Sequence, residues 1–159
     1  ADELSIERGI VVGRALAQAS IAFYAAASRN RRTEPMKITE DLGAKQNLIR
    51  GYEAGRISIN GVAYTRSLIV TPERVEADWA PEQFEAMRPE HFASVVEWGP
   101  EIMLIGTGTT QRFPPVPIRR LFAEAQIGLE IMDTAAACRT YNIITMEGRR
   151  VAAALLMID

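Results

Sequence analysis

Cysteine, histidine and long apolar runs are scarce in this chain of 159 residues, and each scarcity excludes a class of structure or site. The single cysteine, Cys138, cannot form an internal disulfide, which fits a reducing compartment. With one cysteine and one histidine, His91, a dedicated zinc site is not expected. No run of about eighteen uninterrupted apolar residues occurs, so we expect no membrane-spanning helix.

A strong charge bias and the common nucleotide-binding motifs are also missing. The formal net charge is −2 and no basic stripe is present, which argues against nucleic acid as the main partner. The Gly106-Thr107-Gly108 stretch lacks the third glycine of a dinucleotide fingerprint, and no GK[ST] phosphate loop exists. His91 lies in a predicted first helical turn without a catalytic partner, which favours a surface or capping role. We therefore expect no cofactor, no metal and no catalytic set.

Residues 1–35 differ in composition from the rest and allow three interpretations. The first is an upstream extension that precedes a natural start at Met36. The second is a targeting segment, and the third is a docking helix for a partner. We predict a poorly ordered extension or non-native segment, followed by a single α/β domain over 36–159. The default compartment is the cytoplasm, and a genuine transit segment would instead direct the chain to the mitochondrial matrix.

The C-terminal part carries the clearest fold signal. Over 102–158, three short apolar runs alternate with two amphipathic segments, which predicts a β-α-β-α-β unit with parallel strands. Pro117 should open the first helix and Gly128 should close it. Asp133 or Thr134 should cap the second helix, which Gly148 should end.

The first half predicts antiparallel structure. Asn60-Gly61 lies between alternating apolar residues, the pattern of a type I′ hairpin, so we expect a hairpin over 57–71 added to the sheet. A further strand should carry Trp79 inward, and Pro89 should start a helical piece that ends at Gly99. The predicted fold class is therefore α/β, a three-layer-like sandwich with a parallel core and this antiparallel hairpin.

Polar residues follow the first two predicted core strands. In open α/β sheets, ligands bind at the carboxyl ends of the strands. This places a candidate crevice between Gly106–Gly108, which we call the GTG loop, and the start of the helix at Asp133–Thr134. The alternative is that these residues are only turn glycines and helix caps. Cys138, early in that helix, is a candidate thiolate or a small buried residue. The binding candidates, for a ligand or a partner, are Gly106, Thr107, Gly108, Asp133, Thr134, Arg139, Thr140 and Asn142.

At these residues the sequence resembles a known family. The pattern is a strand that ends in GTG, an E-x-M-D-T-x-A-A-x-x-T-Y-N block, then E-G-R and an apolar strand, and the likeness covers about 57–159. The family is the small α/β domain shared by a mitochondrial respiratory complex I assembly factor, the adipogenesis-associated domain protein, and uncharacterised bacterial and archaeal proteins. The matching positions are Glu130, Met132, Asp133, Thr134, Ala136, Ala137, Thr140, Tyr141, Asn142, Glu147, Gly148 and Arg149.

Two hypotheses for function follow. The resemblance implies a compact α/β sandwich without established enzyme activity, and it implies an accessory role for the mitochondrial member. The first hypothesis is therefore a non-catalytic protein that contacts a protein partner, as an accessory or assembly factor for a respiratory or membrane complex. The alternative is a small-molecule binding protein or enzyme that uses the crevice between Gly106–Thr109 and Asp133–Asn142.

Overall fold

The computed structural model describes residues 46–159 of the chain, so the predictions for 1–35 lie outside the described residues. Eight strands and three α-helices occur in the described part, together with short 3₁₀ helices at Phe84–Ala86 and Pro89–Phe92. In chain order they are β1 (Ile49–Glu53), β2 (Arg56–Ile59), β3 (Val62–Tyr64), β4 (Leu68–Val70), β5 (Val75–Glu76), α1 (Ala93–Trp98), β6 (Ile102–Gly106), α2 (Val116–Glu124), β7 (Gly128–Met132), α3 (Thr134–Met146) and β8 (Val151–Leu155).

The larger sheet has five strands in the order β5-β4-β8-β6-β7. Strand β6 lies between β7 and β8 and pairs with both in parallel, so that Leu104 faces Glu130 on one side and Ala153 on the other. Strand β4 pairs antiparallel with β8, and β5 pairs antiparallel with β4. The predicted α/β class, with its parallel core and antiparallel addition, is confirmed.

The structure divides the predicted hairpin segment between two sheets. Asn60 and Gly61 form the expected turn, with φ of 48° and 86°, but β2 and β3 lie with β1 in a separate three-stranded sheet, in which β2 is the central strand. Only Leu68–Val70 joins the larger sheet. The reason is burial, because Ile57 and Ile59 pack into the cluster that contains Tyr141 of α3 and so lay the hairpin against that helix.

Two apolar clusters cover the two faces of the larger sheet. On one face, α3 and the small sheet enclose residues such as Ile57, Leu104 and Tyr141. On the other, α1, α2 and the 3₁₀ helices enclose Phe92, Phe122 and Met103. Strand β6 contributes to both clusters, which is why its sequence is almost continuously apolar.

The helix ends confirm most of the predicted terminators. Gly99 and Gly148 adopt φ of 59° and 74° directly after α1 and at the end of α3, as expected for C-terminal glycines. Gly128 was predicted to close α2, and this is wrong. Gln126, with φ of 57°, takes the left-handed position instead, and Gly128 begins β7. The glycine lies in the sheet because its amide donates to the Glu101 carbonyl oxygen at 3.0 Å.

Candidate functional site

The loop after β6 and the start of α3 are joined by buried hydrogen bonds. The Thr134 hydroxyl donates to the Leu156 carbonyl oxygen at 2.7 Å and accepts from the Gly108 amide at 2.9 Å. The Thr134 amide in turn donates to the Gly108 carbonyl oxygen at 2.9 Å. Thr107 and Thr134 are both fully buried. Two of the ligand-site candidates, Gly108 and Thr134, therefore use these polar groups on each other and on Leu156.

Gly106 is required here by close packing rather than by a turn. A Cβ atom at this position would lie 2.9 Å from the Thr134 hydroxyl oxygen and 3.0 Å from the Thr134 Cα. The start of α3 thus lies directly against the end of β6, with no room for a methyl group between them. The absence of a side chain at Gly106 lets the two elements meet.

The first residues of α3 have structural contacts that agree with the capping prediction. Asp133 is the N-cap of the helix, and its carboxylate accepts from the Ala136 amide at 2.7 Å. Cys138 is buried on the inner side of α3, and this burial raises the pKa of its thiol to about 12. The thiol is therefore protonated near neutral pH, which disfavours a nucleophilic role.

Arg139, Thr140 and Asn142 lie further along α3, away from the GTG loop. The Asn142 side chain accepts from the Ile49 amide at 2.9 Å and donates to the Ile49 carbonyl oxygen at 2.7 Å, so it binds β1 as another strand would. Arg139 is exposed and donates to the Tyr52 hydroxyl at 2.8 Å. The structure thus separates the interlocked candidates at the strand ends from Arg139 and Asn142, which contact the small sheet, and from Thr140, which lies on another side of α3 from Asn142.

One turn beyond Arg139, α3 exposes two large apolar side chains. Ile143 is 55% exposed and Met146 is 68% exposed. Residues four and three apart lie on the same side of a helix, so Arg139, Ile143 and Met146 form one surface row, which we name the α3 stripe. The opposite side of α3 is fixed on the sheet by Tyr141, whose burial raises its pKa and whose hydroxyl donates to the Asn47 carbonyl oxygen at 2.8 Å.

A cleft of about 320 Å³ lies at the carboxyl ends of β6 and β8, beside Gly108. Arg112 crosses it, with its guanidinium 2.7 Å from a Glu85 carboxylate oxygen and 4.4 Å from the centre of the Phe84 ring. The same guanidinium donates to the Thr107 carbonyl oxygen at 3.3 Å. Sequence reasoning did not select Arg112, because its partners lie in a different part of the chain.

The loop that follows Arg112 presents an exposed aromatic residue. Phe113 is 68% exposed, whereas Pro114 after it is buried and Arg112 before it is held in the cleft. With its two neighbours directed inward, the Phe113 side chain is directed to solvent. Pro115, Val116 and Pro117 are exposed as well, and Val116 keeps 54% of its surface accessible. We call Phe113–Pro117 the apolar loop.

Residues 46–159 include no candidate metal-ligand cluster and no candidate membrane span. There, no three His, Cys, Asp or Glu side chains are grouped in a way that could hold a metal ion. In the same part of the chain, no helix has the length and apolar character needed to cross a bilayer.

Comparison with known proteins identifies relatives of most of the described region. Residues 49–156 match the family described as protein of unknown function (DUF498/DUF598). The chain is 31% identical to the 13 kDa major membrane protein of Francisella tularensis subsp. holarctica (strain LVS), over 66% of this chain and 86% of that protein. The family resemblance that the sequence indicated is confirmed.

The chain is also similar to an assembly factor and to a protein of solved structure. The chain is 30% identical to NADH dehydrogenase (ubiquinone) 1 alpha subcomplex assembly factor 3 of Bos taurus, over 68% of this chain and 59% of that protein. The chain therefore matches only part of the length of that assembly factor. A crystal structure of a Bordetella parapertussis protein superposes with a TM-score of 0.67 at 34% identity, covering 70% of this chain and 96% of that one.

Proposed function

The chain belongs to the DUF498/DUF598 family of proteins of unknown function, and from that premise we propose a non-catalytic role in assembling a respiratory or other membrane protein complex. The proposal rests on the relative named as a complex I assembly factor, which shares 30% of its residues with this chain over the aligned region. The compartment we propose is the cytoplasm, or the mitochondrial matrix if residues 1–35 are a targeting segment.

The α3 stripe is the observation that supports a contact role. Ile143 and Met146 keep more than half of their surfaces in solvent on the longest helix of the described region. Apolar side chains grouped on a surface are typical of protein contacts, and a rigid helix presents them with little loss of conformational entropy on binding. Arg139 adds a positive charge at one end of the row, which would favour an acidic residue on the partner.

The small-molecule alternative has less support from the site geometry. A ligand in the predicted crevice would need free hydroxyl and amide groups near Gly108, yet Thr134 uses its hydroxyl for two backbone groups. Thr107 likewise accepts from the Arg112 amide at 3.0 Å and donates to the Thr110 carbonyl oxygen at 2.7 Å. These bonds favour a structural function for the GTG loop.

The test is affinity capture from native lysate with the full chain as bait. The variant Ile143→Ser/Met146→Ser removes the apolar part of the α3 stripe, and Glu97→Gln on α1 is a matched exposed control. Respiratory or membrane-complex subunits should be recovered with the wild type and the control and lost with the double variant. Equal recovery with the double variant would show that the α3 stripe is not the contact surface, and recovery of no such subunits would contradict the proposed role.

A further inference from the structure

The apolar loop has a composition that suits an environment without hydrogen-bonding partners. Pro114, Pro115 and Pro117 carry no backbone N–H group, so three of the five residues of this loop have no amide donor. Burying an unpaired backbone donor in hydrocarbon costs several kcal/mol, and this cost is largely absent for the loop. Only the amides of Phe113 and Val116 remain in this loop to donate a main-chain hydrogen bond.

The exposed side chains of the loop point to the same environment. Phe113 is 68% exposed and Val116 is 54% exposed, while Arg112 lies in the neighbouring cleft, bound to Glu85. Beside them, Pro89, Val116, Pro117 and Leu121, together with Arg120 and Glu124, line a shallow depression of about 310 Å³. The loop therefore offers a protruding apolar tip that continues into an apolar depression.

Two arginines follow the apolar loop at the distance that a bilayer surface requires. Arg119 and Arg120 are exposed on α2, and neither has a carboxylate oxygen within 4.0 Å among residues 46–159. They lie about 4.5–6 Å along the helix axis from Val116, at a rise of about 1.5 Å per residue. An apolar surface segment enters a bilayer by roughly 5–10 Å, so with α2 along the bilayer normal these guanidinium groups would lie level with the lipid phosphates.

We propose that the apolar loop, with Arg119 and Arg120, is a docking site for the surface of an anionic lipid bilayer. Phe113 and Val116 enter the boundary between headgroups and acyl chains, and the two arginines bind phosphate groups. The site is separate from the α3 stripe, so the protein holds a membrane surface with one face and a protein partner with another. The inference goes beyond the assembly role and does not depend on it.

Vesicle flotation with the full chain tests the proposal. The probes are vesicles of phosphatidylcholine alone and of equimolar phosphatidylcholine and phosphatidylglycerol, at low and high salt. The wild type should float with the anionic vesicles only, and high salt should weaken binding because it screens the arginines. Phe113→Ser and Arg119→Gln/Arg120→Gln should each lower the partition coefficient roughly tenfold or more. Ile143→Ser/Met146→Ser, which alters a different apolar surface, should bind like the wild type.

The variant Phe113→Trp gives a second readout that does not depend on the amount of bound protein. Its added indole fluorescence should shift to shorter wavelength with anionic vesicles and become protected from aqueous iodide. The proposal is overturned if the wild type binds neither vesicle, if it binds both equally, or if the loop variants bind like the wild type. Loss of a captured protein subunit by Phe113→Ser, without vesicle binding by the wild type, would assign the loop to a protein partner instead.

Discussion

Thr134 offers the most direct test of the buried interlock between β6 and α3. Its hydroxyl serves two backbone groups, the Leu156 carbonyl oxygen at 2.7 Å and the Gly108 amide at 2.9 Å, and the residue is fully buried. Thr134→Val keeps the branched shape but removes the hydroxyl, so both backbone groups remain in the interior without this partner. Each buried group left unsatisfied costs about 1–3 kcal/mol, so the free energy of unfolding should fall by about 2–6 kcal/mol.

That loss is a large fraction of the stability of an ordinary domain, about 5–15 kcal/mol, and urea unfolding followed by circular dichroism will measure it. Thr134→Ser is the matched control, because it keeps the hydroxyl and removes only a methyl group, at a cost of about 1 kcal/mol. A valine variant whose free energy of unfolding lies within about 0.5 kcal/mol of the wild type would refute the interlock, because two unpaired buried groups should cost more than that. A serine variant as unstable as the valine variant would assign the loss to packing.

Three further predictions concern packing, the small sheet and pH. Gly106→Ala should lower the free energy of unfolding by about 1–3 kcal/mol in urea titrations, because its Cβ would lie 3.0 Å from the Thr134 Cα. Gly51→Ala is the control: its Cβ would have the Ser58 Cβ at 3.9 Å as its nearest neighbour, so the loss should be less than half as large. Asn142→Leu removes both hydrogen bonds to Ile49, so limited proteolysis should cut within 49–64 faster than in the wild type, while equal rates would contradict this anchoring role. Burial raises the pKa of the Cys138 thiol from 9.0 to about 12, so the thiol of the unfolded chain loses its proton first as the pH rises. The free energy of unfolding should therefore decrease between about pH 9 and 12. Cys138→Ala should make this decrease smaller in unfolding measurements.

The two exposed surfaces give separable outcomes. The α3 stripe is expected to govern protein capture, and the apolar loop is expected to govern vesicle binding. Ile143→Ser/Met146→Ser should therefore lose partner subunits without losing vesicles, and Phe113→Ser should do the reverse. Stability measurements on both variants provide the necessary control, because exposed apolar side chains contribute little to the free energy of unfolding.

Features that depend on local backbone preference were accessible from the sequence. The alternation of apolar runs and amphipathic segments identified the parallel core, since strand and helix periodicities differ. Asn60-Gly61 and Gly148 marked the hairpin turn and the end of α3, because these positions need positive φ. Local preference predicted the wrong end for α2. Gly128 was expected in the left-handed position after the helix, but it begins β7, and Gln126 takes that position instead.

The tertiary structure alone decided what the polar residues do. Thr134 and Asn142 each offered groups that a ligand could have used, but their partners are Leu156, 22 residues later, and Ile49, 93 residues earlier. It also decided which side chains remain exposed: Phe113 faces solvent between Arg112, which is bound to Glu85, and the buried Pro114. A sequence pattern reports the conformation of neighbours along the chain. Hydrogen-bond partners and exposed surfaces depend on segments that meet only after the chain has folded.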